Sequence, residues 1–69
     1  MNADEFDTGR AAARAAVAKR QRPARFLRAE KARLLGTVRE NIAADKPPSF
    51  TDGYFVEIGC EASRLGVTI

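Results

Sequence analysis

Three prolines, Pro23, Pro47 and Pro48, set the outer limits on what this chain can fold into. Proline has no backbone N–H and a fixed φ, so it is tolerated in a first helical turn and excluded from a helix interior. It also pushes the residue before it away from helical geometry. The spacing therefore predicts one helix near 8–22, a break or sharp kink at Arg22-Pro23, and a second helix near 24–44. That second helix must end before Asp45-Lys46-Pro47-Pro48.

Local chemistry supports both segments. Asp7-Thr8 reads as a helix start, because either side chain can accept from an orphan backbone N–H and the acids before it suit the positive end of the helix dipole. From Arg10 to Arg22 nearly every residue is a good helix former, with five alanines between Ala11 and Ala16. In the second segment Leu27, Leu34, Leu35, Val38 and Ile42 recur at helical spacing on one face. Lys31 lies within that stripe, where its aliphatic stem can pack while its ammonium reaches outward. Arg25, Arg28, Ala32 and Arg39 flank it, and Gly36 weakens the middle slightly.

The last third reads differently. In SFTDGYFVEIG, Asp52-Gly53 is a turn signal, followed by the aromatic and β-branched run Tyr54-Phe55-Val56-Glu57-Ile58. This predicts a strand over 54–58 with Tyr54, Val56 and Ile58 on one face. Cys60 to Leu65 then suits a short helical turn closed by Gly66, with Val67-Thr68-Ile69 extended. The expected fold class is mainly α: two helices bent at a proline, plus a short C-terminal strand and turn-helix tail.

A chain of 69 residues makes a single small domain at most, with an acidic segment over 1–9, a basic helical hairpin or bent helix over 10–44, and a strand-containing tail over 45–69. Domains this small bury a modest share of their surface. One cysteine excludes an intrachain disulfide, so self-association is the expected supplement to the core. A homodimer through Leu27, Leu34, Leu35, Val38 and Ile42 follows as an expectation. The lone Cys60 fits a reducing compartment. The acidic start lacks the apolar stretch of a signal peptide, and no run approaches the ~18 apolar residues of a membrane span. The cytoplasm is the expected location.

Charge is unevenly placed. Residues 1–9 carry −3, residues 10–33 carry +8 and residues 34–69 carry −2, for a net +3. Nine of the twelve Lys and Arg residues fall between Arg10 and Arg33. Arginine-rich helices bind nucleic acid because guanidinium groups pair phosphates bidentately and release condensed counterions. Alanines between them permit close approach. Arg14, Lys19, Arg20, Arg22, Arg25 and Arg28 are the candidate contacts for nucleic acid or an acidic partner. Arg10 and Arg14 share a face, while Lys19, Arg20 and Arg22 fan toward Pro23, which suits a protruding end more than a flat surface. No aromatic residue lies between Arg10 and Arg25, which argues against a base-stacking platform.

Catalytic chemistry is sparse. With no histidine, the commonest general base and commonest non-thiol zinc ligand are missing, and one cysteine builds no Cys-rich zinc site. The five glycines, at 9, 36, 53, 59 and 66, match no phosphate-loop spacing. Glu57 with Asp52 or Glu61 reads as surface acids, and Cys60 as a small buried hydrophobe. No catalytic residue, cofactor, metal or small-molecule substrate is expected.

IGCEASRLGVTI, residues 58–69, has the spacing I-G-x-x-A-x-R-L-G-V-T and resembles the first helix and turn of MerR-type helix-turn-helix DNA-binding proteins. In that family the alanine packs inside the motif and the glycine shapes the turn, positions taken here by Ala62 and Gly66. Glu61 departs from the family's apolar preference. The resemblance covers 12 residues and stops where a recognition helix would begin, so it implies no reading of bases.

Two functional expectations result. One is a small non-enzymatic regulator of bacterial, plasmid or phage type, whose basic helical segment contacts nucleic acid or a nucleic-acid-binding machine. The other is a dimeric inhibitor or anti-activator that covers a protein partner with its apolar stripe and aromatic tail.

Overall fold

The computed structural model describes residues 3–69 and contains three helices: α1 (Ala3–Ala18), α2 (Pro23–Ala43) and α3 (Phe50–Leu65). Among the described residues there is no strand. The chain is mainly helical, as its pattern predicts, but the strand expected over 54–58 is replaced by the middle of α3. The reason lies at Ser49. Its hydroxyl accepts from the Asp52 backbone N–H, and the Asp52 carboxylate accepts from the Ser49 N–H at 3.1 Å. This reciprocal cap launches a helix. Gly66, at φ 70°, ends it in the left-handed conformation that glycine adopts without steric cost.

The other boundaries also differ from expectation. α1 already includes Asp4 and Glu5 in its first turn, so Asp7-Thr8 is interior, and the Thr8 hydroxyl donates to the Asp4 carbonyl at 2.7 Å. Residues 19–22 separate α1 from α2, and Pro23 opens α2, where its missing N–H leaves no helical bond unmade. α2 has 21 residues, about 32 Å of helix, close to the molecule's longest dimension of 34 Å.

α3 is the centre of the structure. α1 runs parallel to it: Phe6 lies against Gly53, Gly9 against Phe50 and Tyr54, and Arg10 and Arg14 reach Glu57. α2 runs antiparallel: Leu27 meets Ile58 and Ala62, while Glu30 and Arg33 lie beside Tyr54. α1 and α2 barely touch one another, so they are not packed as a hairpin. The core comprises Ala13, Val17, Leu27, Ile58 and Ala62, with Phe26, Tyr54, Val67 and Ile69 against it. Small residues dominate because α1 and α3 approach closely. A Cβ at Gly9 would collide with the Phe50 carbonyl oxygen and lie 2.9 Å from the Tyr54 nitrogen; one at Gly53 would collide with the Phe6 carbonyl oxygen.

No helix among the described residues is long and apolar enough to cross a membrane.

Candidate nucleic-acid interface

The end of α1, the connection 19–22 and the first turn of α2 form a corner at one end of the molecule. Lys19, Arg20, Arg22 and Arg25 line an open concavity there of about 610 Å³, together with Phe26 and Ala29. The Arg20 guanidinium carbon lies 4.2 Å from the centre of the Phe26 ring, a cation–π contact that ties the connection to α2. Among the described residues none of these four cations has an ion pair.

The corner is more positive than its side chains alone make it. Arg22 is the N-cap of α2, at φ −124° and ψ 75°, with no side-chain hydrogen bond to the helix and no acid in the first turn. The first N–H groups of α2 therefore lack an intrahelical or capping partner at its positive dipole end. Cations usually gather at helix C-termini, where they stabilise. Placing Arg22 and Arg25 at an uncapped N-terminus has a local cost that the fold tolerates.

The remaining two candidate contacts point elsewhere. Arg14 donates to Glu57 at 3.4 Å, and Arg10 donates to the other oxygen of the same carboxylate at 3.1 Å. Arg28 donates to the Thr68 carbonyl at 3.2 Å and, one turn on, Lys31 Nζ donates to the Ile69 carbonyl at 2.6 Å. These bonds lay the extended tail across α2. Four of the six candidates thus converge, and Arg14 and Arg28 hold helix to helix and tail to helix.

Of the acids expected at the surface, Asp52 is half-buried, and the other two are buried. Glu57 and Glu61 are 3% and 5% exposed, on the flank of α3 that faces α1. Sequence reasoning missed them, although their i, i+4 spacing beside Ile58 and Ala62 places them next to the core stripe of a helix. Arg64 donates to both oxygens of Glu61, at 3.0 and 2.7 Å, and this bond holds the Glu61 carboxyl below its ordinary range against the opposing effect of burial. In the same way, the Arg33 guanidinium lowers Glu30. Burial, and then the neighbouring Glu30 carboxylate, raise the Tyr54 phenol. Cys60, expected inside, is exposed.

The α2 stripe is divided. Leu27 is fully buried, and Leu34 and Val38 are 8% exposed, so the chain's own fold covers them. Leu35 is half-buried, and Ile42 stands 72% exposed. At the other end of α3, Ala62 is buried and Gly66 turns the chain, as in the helix-turn-helix resemblance, but Val67 and Ile69 then pack on the core. Among the described residues no second helix follows. The chain matches no family model, no curated protein and no solved structure.

Proposed function

We propose that this chain is a small non-enzymatic regulatory protein that binds nucleic acid, or a nucleic-acid-binding machine, through the α1–α2 corner. One observation carries the reading: Lys19, Arg20, Arg22 and Arg25 converge, none in a direct ion pair among the described residues and only Arg20 near an acid, Glu30, on a concave corner at an uncapped helix N-terminus. Such an arrangement concentrates positive potential where a phosphate backbone can reach it. The dimeric-inhibitor reading relies on the α2 stripe and the aromatic tail; burial of Leu27, Leu34 and Val38 leaves the stripe Ile42 and half-buried Leu35, and the tail offers Phe50, 44% exposed. A homodimer working in the cytoplasm remains part of the proposal.

Fluorescence anisotropy with labelled duplex DNA and RNA across a salt series tests it. Replacing Lys19, Arg22 and Arg25 by alanine removes three phosphate contacts, and the logarithmic salt slope should fall by ~2–3 units. Arg20 is left in place because Phe26 packs under it. Circular dichroism should show the variant folded. Absence of binding by the wild type at low salt would transfer the corner's charge to an acidic protein partner or to solubility alone.

A further inference from the structure

We infer that the open flank of α3 is the docking surface for a second copy of this chain, arranged antiparallel; this rests on the homodimer reading and gives it an interface. α3 turns Gly53, Glu57 and Glu61 toward α1, and Ile58 and Ala62 into the core beside α2. Its third flank carries Val56, Gly59, Cys60 and Ser63, all exposed and all uncharged, although charged residues make up 30% of the chain. Val56 is 42% exposed, and nothing lies within 4 Å of the position a Cβ would take on Gly59. The spacing i, i+3, i+4, i+7 makes these four residues one continuous face.

The charge distribution selects the occupant and its direction. Because α1 and α3 are parallel, the acids that open both helices lie at one end and the bases that follow α1 lie at the other, while Glu57 and Glu61 between them are matched by arginines. Asp4 and Glu5 lie in the first turn of α1 and Asp52 in that of α3, whereas Lys19 and Arg20 follow α1 and Arg64, in the last turn of α3, is matched by Glu61. The molecule is therefore an electrical dipole along the α3 axis. A parallel second copy would set like charge against like. An antiparallel copy related by a two-fold axis sets the acidic end of each protomer beside the basic end of its partner. The resulting contact is self-complementary, with an apolar centre and a charged rim. It needs nothing from the α2 residues that the monomer core already uses.

Cys60 lies in the middle of this face and supplies the readout. A short bismaleimide should link two wild-type chains through Cys60 at micromolar protein, with Cys60→Ser abolishing the product. Val56→Glu and Ser63→Lys each place charge in the face, and each should abolish the linked dimer and shift light scattering to the monomer mass. N-ethylmaleimide should still label Cys60 in both, and circular dichroism should show them folded; Ser63→Lys is the milder change should Val56→Glu unfold. A wild type that is monomeric at high concentration would overturn both the homodimer reading and this interface. A dimer that Ile42→Glu dissociates while Val56→Glu and Ser63→Lys leave it intact would keep the homodimer and overturn the α3 face. A dimer resistant to all three substitutions would overturn it equally.

Discussion

Gly9 and Gly53 are the two seats on which α1 and α3 rest backbone to backbone, each occupying a point where the other helix leaves no room for a methyl group. Gly53→Ala should therefore destabilise the fold by about 2 kcal/mol or more, because overpacking outweighs the ~1 kcal/mol that alanine gains in helix propensity. Gly36, with nothing within 4 Å of its added Cβ, is the control. Gly36→Ala should stabilise by up to ~1 kcal/mol. Urea denaturation of the two variants should move the midpoint in opposite directions.

The Glu57 carboxylate, buried between α3 and α1, depends on two arginines whose own side chains are 40% and 60% exposed. Removing the acid and removing its partners should have unequal costs. Arg10→Ala with Arg14→Ala strands a buried charge and should cost about 3 kcal/mol. Glu57→Gln keeps the shape and should cost under about 1.5 kcal/mol. Adding Glu57→Gln to the double variant should recover part of the loss, a non-additivity that a mutant cycle measures directly.

The acid limb of stability should follow Glu30 and Glu61. Both carboxyls lie below their ordinary value of 4.5 because Arg33 and Arg64 bond the charged form. A lowered carboxylate binds fewer protons folded than unfolded, so its contribution is present above 4.5 and is lost as pH falls through the folded value. Tyr54 acts in the opposite sense. Its raised phenol favours the fold below its ordinary value of 10.0, and that contribution is lost as pH rises above it. Thermal melts from pH 3 to 11 should show both limbs. Glu61→Gln should flatten the acid one, and Tyr54→Phe the alkaline one.

Arg22 is predicted to stabilise the protein when it is removed. Arg22→Ser gives α2 a side-chain cap that it lacks and takes a cation from the positive end of a helix. The expected gain is about 1 kcal/mol. The same variant should bind nucleic acid more weakly than wild type. A rise in melting temperature without loss of binding would separate the corner's electrostatic cost from its proposed role.

Leu27 and Ile42 belong to one stripe in the sequence and to different environments in the fold. Leu27→Ala should cost ~2–5 kcal/mol, since the side chain is fully buried. Ile42→Ala, at a position 72% exposed, should change stability by under ~0.5 kcal/mol. Equal denaturation midpoints for the two variants would contradict the placement of α2 on α3.

Pro23, the alanine run and the 27–42 stripe were enough, read alone, to determine two helices and that the second starts at the proline, since backbone chemistry acts over a few residues; that the first ends at Ala18, four residues short of Arg22, was not legible. They also determined that positive charge concentrates around residues 10–33. Only the tertiary structure decided the third helix and the membership of the site. Tyr54-Phe55-Val56 has the composition of a strand, and Asp52-Gly53 that of a turn. The Ser49 and Asp52 cap stands ahead of that run and starts the helix, and a glycine's role as a seat for another backbone exists only once α1 lies on it. Likewise, every arginine from Arg10 to Arg28 looks alike along the chain. Which ones stay unpaired depends on whether a neighbouring element brings an acceptor. α3 brings Glu57 to Arg14, the tail brings the Thr68 carbonyl to Arg28, and nothing comparable reaches Lys19, Arg20, Arg22 or Arg25.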